Sequence, residues 1–377
     1  VHISTARTFA ENSPMGYHLL PSQKYFNDVL DKEHAVVRFT AASTYAEERA
    51  KYGNVINSWE ELRAFSLAED KGREKPEAVL FFKPNVLNDF LLTYAKSTHD
   101  SLDAWVPPTG VTLYQIGGWG VDTVSGVEFY ELCVLSICKK EYRPTFVEDG
   151  DGVVPIPSAL MLSTATDNVM RYWLDLSAYR LGPFGLKNHG NILDIKELQG
   201  FLNNIILNDS SLPENIFTVL PKGKIAAKQL RFMLHSPLTL NLYDASGNHV
   251  GPVAGGDSEE TIPGSEYGQF GEVQYIIVPA GPEYKVKMNG IAPGTFSLDI
   301  QEVSGGSVVA STTLAGVPTQ TGTIATITIG ESLATVSSLS VDSDGNGSTD
   351  ILLPVTQDST TFYQAPVEAV TAPTSSS

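Results

Sequence analysis

Positive charge is what this chain has least of. Its 43 Asp and Glu outnumber 25 Lys and Arg, giving a formal net charge of −18, and residues 288–377 contain no Lys or Arg. Phosphate backbones are bound by basic surfaces, so nucleic acid is excluded as a partner. Cysteine is almost absent, Cys133 and Cys138 being the only two. That is too few for a disulfide scaffold. If residues 131–140 form one strand, a spacing of five puts the two thiols on opposite faces. Both are then read as ordinary semi-buried cysteines, a disulfide between them being the other reading. No apolar run approaches the ~18–20 residues of a transmembrane helix; contact with a lipid interface through apolar side chains stays open. What is present is ample core material: 42% of 377 residues are hydrophobic, enough for two domains and a tail.

Chemistry concentrates in residues 147–193. An apolar strand end, Thr145-Phe146-Val147, runs into Glu148-Asp149-Gly150-Asp151-Gly152 and resumes at Val153-Val154-Pro155. A carboxylate at a strand's end meets free backbone N–H groups that hold it ionised. Further on, Lys187-Asn188-His189-Gly190 sets an imidazole on a loop just ahead of a helical pattern. Asp followed by His is the order in which α/β-hydrolases present the last two members of a catalytic triad. The expected roles are acid–base for His189 and tautomer-fixing for Asp151. An acidic, glycine-rich loop is also what a plain solvated turn looks like.

Three further stretches carry a likeness: S-P-M-G-Y-H-L-L-P-S (residues 13–22), T-G-V-T-L-Y-Q-I-G-G-W-G-V-D-T (109–123) and H-G-N-I-L (189–193). With them, the first 210 residues or so resemble the lecithin:cholesterol acyltransferase group of α/β-hydrolases, which includes phospholipases and lipases. The resemblance implies that Asp151, rather than Asp149, serves His189. It departs from the family in lacking a nucleophile. No G-x-S-x-G occurs, and the nearest string, Gly330-Glu331-Ser332-Leu333-Ala334, follows the histidine within a β-rich region. In the family the serine precedes the stretch matching residues 13–22. The chain opens at Val1, without an initiator Met or signal peptide. The expectation is therefore the later part of a longer protein.

Residues 1–84 read as an excursion, a cap over a lipid site or a plain surface subdomain, with Ser58-Trp59-Glu60-Glu61 opening a short helix as a capping box. Residues 85–210 read as the α/β core. Within it, residues 85–105 predict a helix with Leu87, Phe90, Leu91, Tyr94, Ala95, Thr98, Leu102 and Trp105 on one face. A buried strand over 111–116 ends at Gly117-Gly118, strands over 127–140 and 141–147 lead to Asp151, and Ile192 to Ile206 stripe a last helix. Gly117-Gly118-Trp119-Gly120 lacks the Lys and helix of a phosphate loop. Tyr172-Trp173-Leu174 and Pro183-Phe184-Gly185 either line an acyl site or pack.

From residue 211 the composition turns to Thr, Ser, Gly and Val. Alternating runs at 238–243, 275–278, 284–288, 295–300, 308–313 and 324–329 predict an antiparallel sandwich or jelly roll over residues 211–355. Two segments there, P-A-G-P-E-Y-K-V-K-M-N-G and P-G-T-F-S-L-D-I, resemble accessory β-domains of secreted bacterial hydrolases. Residues 356–377 read as linker or disordered tail. In D-S-D-G-N-G-S-T-D, alternation brings Asp342, Asp344, Asn346, Ser348 and Asp350 toward one centre, the ligand pattern of an EF-hand-type calcium loop. The twelfth-position Glu is replaced by Leu353, and an acidic hairpin turn is the other reading.

The expected fold class is thus a partial α/β-hydrolase plus an all-β sandwich. The expected function is a secreted, extracellular or cell-surface lipase, phospholipase or O-acyltransferase. This chain would supply Asp151 and His189, need no catalytic cofactor, and hold at most a structural calcium. Its rival is a non-catalytic extracellular binding or adhesion protein with a degenerate hydrolase remnant.

Overall fold

The computed structural model describes residues 3–29, 33–69, 86–134, 137–160, 168–179, 187–221, 228–235, 237–336 and 338–364. Lys71 to Lys75, Pro84, Asn85, Pro183-Phe184-Gly185 and residues 371–377 lie outside them. The protein is a β-rich assembly of a mixed first part and a two-sheet sandwich.

Two small sheets organise the first part. Strand β1 (Val37–Phe39) pairs in parallel with β3 (Thr123–Val134), which forms a hairpin with β4 (Ile137–Val147). Strand β2 (Leu113–Trp119) pairs in parallel with β5 (Val169–Asp175), and β6 (Ile216–Phe217) adds antiparallel to β5. The excursion has its own aromatic core: Tyr17, Phe39, Tyr45, Tyr52, Trp59 and Phe65 are buried together, with Phe129 of β3 packed against them. Ser58 caps the helix Trp59–Ser66 by accepting the Glu61 N–H, while Glu61 reaches back to the Asn57 N–H. Such a cap is worth about 1 kcal/mol.

Several sequence expectations are corrected here. The long helix is Asp89–Asp103, because the Asn88 side chain takes the Phe90 and Leu91 N–H groups and fixes the start there. Its buried face is Leu91, Leu92 and Ala95; Phe90 is 76% exposed, Tyr94 51% and Leu102 58%. Of the residues that the periodicity grouped, Leu91 and Ala95 are buried, Leu92 joins them, and the rest of the row turns outward. Strand β2 does not stop at Gly117-Gly118 but runs through them. A Cβ on Gly117 would stand 2.6 Å from Ile156 Cδ1, and one on Gly118 2.9 Å from Asp151 Cβ. The glycines let those neighbours touch the sheet. The strands expected over 127–140 and 141–147 are instead an antiparallel pair divided between Val134 and Ile137, with residue 133 opposite 138. Cys133 and Cys138 therefore face each other as cross-strand partners and form a disulfide rather than two free thiols. The last helical stripe splits into a 3-10 turn, Ile192–Asp194, and the helix Lys196–Leu207.

The second part is a sandwich. One sheet has seven strands in the order β10-β9-β8-β13-β16-β17-β18 and the other six in the order β11-β12-β7-β14-β15-β19. The strands are β7 (Gln229–His235), β8 (Leu238–Asp244), β9 (His249–Pro252), β10 (Ser258–Glu260), β11 (Glu266–Phe270), β12 (Val273–Pro279) and β13 (Tyr284–Gly290). Then follow β14 (Gly294–Ser304), β15 (Ser307–Thr319), β16 (Ile324–Ile329), β17 (Leu339–Asp342), β18 (Ile351–Leu353) and β19 (Ser359–Phe362). Leu230, Phe232, Leu234, Leu298 and Ile300 of one sheet share a core with Leu240, Leu242, Val286 and Met288 of the other. Period-2 alternation explains it: in β13, Tyr284, Val286 and Met288 point in, and the intervening Lys285 and Lys287 point out. Two boundaries shift. Strand β6 keeps residues up to 217 with the first part, and β19 pairs in parallel with β15, so residues 359–362 belong to the sandwich and not to a tail.

Strand β7 is buried at every position. Its inward residues fill the sandwich core, while Met233 packs with Tyr142, Tyr275 and Ile277, and with Val127, Phe129 and Phe146 beyond them. The β3–β4 hairpin thus lies on the outer face of the six-stranded sheet and joins the two parts.

Candidate active site

The Asp151 loop is shaped by strand β2 and its continuation. The Gly120 N–H donates to Glu148 O (3.0 Å), the Val121 N–H to Gly150 O (3.1 Å) and the Ile156 N–H to Asp149 O (2.7 Å). Val121 and Asp151 form an isolated parallel bridge. Gly152, at φ +93°, makes the turn, and its N–H donates to Thr123 Oγ1 (2.9 Å). Within that frame Asp151 Oδ1 accepts the N–H groups of Val153 (3.1 Å) and Val154 (2.8 Å). One carboxylate oxygen is thereby fixed and the other aimed.

That other oxygen, Oδ2, meets His189 Nδ1 at 2.8 Å. The His189 backbone N–H also donates to Asp151 O at 2.7 Å, so main chain and ring are held to the same residue across 38 positions. The turn presenting His189 is tied internally: the Asn188 N–H donates to Asn191 Oδ1 (2.9 Å) and the Gly190 N–H to Asn188 Oδ1 (3.0 Å). The side chain of Asp151 is 11% exposed and that of His189 52%. A buried carboxylate on Nδ1 selects the tautomer whose Nε2 carries a lone pair. Nε2, which has no hydrogen-bond partner among the described residues, is the ring nitrogen available to accept a proton.

Asp149 does not touch His189, yet it is not idle. Its Oδ1 lies 2.7 Å from His34 Nε2. This pair, 115 positions apart and without a local signal in sequence, borders a cleft of about 640 Å³ between the two parts. Arg38, Arg143, Arg231 and the Gly305-Gly306 turn line the cleft; Asp151 and His189 do not. Sequence reading also missed Asp122 and Thr123, both buried beside the loop. Their signal was the strand-end position after Gly120.

In the acidic loop of the sandwich, carboxylate oxygens of Asp342, Asp344 and Asp350 lie within 4.8 Å of one another. Asp342 accepts the N–H groups of Gly345 (2.8 Å), Asn346 (3.1 Å) and Gly347 (2.8 Å). Burial pushes this carboxyl up, and the three N–H groups outweigh it, holding it below the ordinary carboxylate range. Asn346 Oδ1 accepts the Ser348 N–H (2.8 Å) and its Nδ2 donates to Asp344, so the amide braces the turn. The three carboxylates are oxygen donors suited to a hard cation such as calcium, and no Glu or helix completes an EF-hand.

No protein-family model, curated protein or solved structure matches the chain.

Proposed function

We propose that residues 1–217 are the Asp- and His-bearing part of an α/β-hydrolase resembling the lecithin:cholesterol acyltransferase group, acting by acyl transfer on lipid or other esters. The observation carrying this reading is the Asp151 Oδ2–His189 Nδ1 contact of 2.8 Å on a half-exposed His189 side chain. Its setting supports it: β2 and β5 are parallel neighbours, His189 lies beyond the end of β5, and Asp151, in the loop after β4, bridges Val121 just past the end of β2, the side on which open α/β sheets place sites. Among the described residues β2 pairs along its length with β5 only, leaving its other edge for a further strand bearing the nucleophile.

In the reaction, His189 Nε2 takes the proton of a serine hydroxyl as its oxygen attacks the ester carbonyl carbon. The alkoxide leaves with that proton from His189, and an acyl-serine remains. Water or an alcohol then gives its proton to Nε2, attacks the acyl carbon, and the serine oxygen recovers the proton. Asp151 stays ionised and stabilises the imidazolium.

Residues 1–377 should show no turnover of short acyl esters. A longer polypeptide carrying a strand, G-x-S-x-G and a helix ahead of Val1 should hydrolyse them, and His189→Ala should abolish most of that activity. Absence of such a segment, or activity indifferent to His189, defeats the proposal. The result would then favour a non-catalytic extracellular binding protein, a reading supported by the lack of G-x-S-x-G in the chain. A disulfide in the β3–β4 hairpin supports an extracytoplasmic location. No helix among the described residues is long and apolar enough to cross a membrane. The same reading gives the sandwich a structural calcium at Asp342, Asp344 and Asp350.

A further inference from the structure

The outer face of β7 carries two polar side chains that reach across to the first part. Arg231 Nη2 donates to Asp122 Oδ1 (3.1 Å) and Gln229 Nε2 donates to Asp122 Oδ2 (2.7 Å). All three residues are buried. Arg231 is further held by Gln301 Oε1 at 3.2 Å and lies 4.1 Å from the centre of the Phe146 ring. Burial pulls the Arg231 pKa down, and Asp122 opposes the shift. A buried charge pair of this kind is a poor source of net stability compared with apolar side chains of similar volume, so its position is the more informative property.

Asp122 stands between the two residues that grip the Asp151 loop. On one side Val121 bonds Gly150 and bridges Asp151; on the other, Thr123 Oγ1 donates to Val121 O (2.9 Å) and accepts the Gly152 N–H. A second sandwich element abuts the same loop. At the β14–β15 turn, a Cβ on Gly306 (φ +74°) would come within 3.1 Å of the Glu148 carboxyl carbon. Glu148 in turn accepts the Gly120 N–H through its carbonyl.

We propose that Arg231 and Gln229 are positioning residues for the Asp151–His189 pair: by clamping both oxygens of Asp122, the sandwich fixes the Val121 and Thr123 grip on the Asp151 loop. The β-sandwich is then a working part of the site rather than an appendage. This rests on the proposed function for its purpose, but its geometry can be tested without turnover.

The test uses residues 1–377 with ¹⁵N-labelled histidine and follows two signals. One is the hydrogen-bonded Nδ1–H resonance of His189; the other is amide hydrogen exchange at Gly152, Val153, Val154 and His189. In the paired variant Asp122→Leu with Arg231→Met, which replaces charges by apolar groups, the Nδ1–H resonance should broaden or vanish. Exchange at the four amides should accelerate at least tenfold. Arg231→Lys alone, which keeps a charged donor for Asp122, should retain part of the signal, and Lys285→Ala, on the opposite sheet, should change neither. If the paired variant does not fold, Gln229→Ala decides on the same two signals. A folded variant with a lower melting temperature but an unchanged resonance and unchanged exchange overturns the clamp and leaves only a structural role. Loss of the resonance in the short chain, with undiminished esterase in the longer one, sinks the catalytic reading and not the clamp.

Discussion

Asp149 and Asp151 stand two positions apart on one loop, and each holds a different histidine: His34 at 2.7 Å and His189 at 2.8 Å. The two carboxylates can therefore be separated by experiment. In a longer, ester-hydrolysing polypeptide, Asp151→Asn should lower kcat by on the order of 10⁴, the loss seen when a triad carboxylate becomes an amide and the wrong imidazole tautomer follows. Asp149→Asn should cost under about tenfold, since its partner lines the cleft and not the dyad. Steady-state kinetics on a short acyl ester decides; equal losses would mean that the loop acts as one unit.

Glycine substitutions should move stability in opposite directions. A Cβ at Gly118 meets Leu176 Cδ1 at 2.8 Å, Asp151 Cβ at 2.9 Å and Ile192 Cδ1 at 3.0 Å. Gly118→Ala should destabilise by about 1–3 kcal/mol through overpacking. Gly200, inside the helix Lys196–Leu207, has only Pro213 Cγ at 3.9 Å, so Gly200→Ala should stabilise by about 0.5–1 kcal/mol. Urea unfolding of the two variants beside the parent checks both signs.

Acid should loosen the joint between the two parts. Burial pushes the Asp299 carboxyl up, but His235, Arg143 and Thr313 pull it further down, leaving it below the ordinary carboxylate range. A depressed folded-state pKa contributes stability that is complete above the unfolded value of about 3.9 and is lost as pH falls through the folded one. The urea midpoint should therefore decline as pH drops below about 4. Asp299→Asn should flatten that decline while lowering the midpoint at neutral pH; an unchanged slope in the variant would assign the acid limb elsewhere.

How much of this was legible in sequence depended on how many jobs a residue has. Tyr284, Val286 and Met288 alternate with lysines, and their strand was read correctly. Strand β7 was missed although Leu230, Phe232 and Leu234, which serve the sandwich, alternate with Gln229, Arg231 and His235. Alternation marks a half-buried strand, and nothing in it tells that the polar face is covered as well. Asp151 and His189 were visible because short backbone turns create their loops, whereas His34 and Asp122 acquire their partners only through tertiary folding. The continuous strand propensity of residues 127–147 concealed the turn that brings Cys133 against Cys138. On the helix Asp89–Asp103 the periodicity grouped Leu91 and Ala95 with Phe90 and Tyr94, and only packing could bring in Leu92 and leave Phe90 and Tyr94 outside.

Calcium should raise the melting temperature of the sandwich. A ligand that binds only the folded state at 100 times its Kd stabilises by about 2.7 kcal/mol. Asp342→Ala combined with Asp344→Ala should remove the shift measured by calorimetry with and without millimolar calcium. No shift in the parent would return residues 342–350 to a plain acidic turn, already satisfied by its own N–H groups.

The outer strand of the seven-stranded sheet, Ser258–Glu260, is exposed along its whole length and ends in two carboxylates. A second molecule adding to that edge in the antiparallel register that pairs Glu259 with Glu260 would set carboxylate against carboxylate at both positions, an unfavourable ladder. The net charge of −18 adds repulsion at longer range. Concentrated solutions should therefore stay monodisperse at neutral pH and low salt, and begin to cluster where acid neutralises the carboxylates or salt screens them. The scarcity of cations thus governs the colloidal behaviour of the protein, keeping a sandwich with open borders from growing into its neighbours.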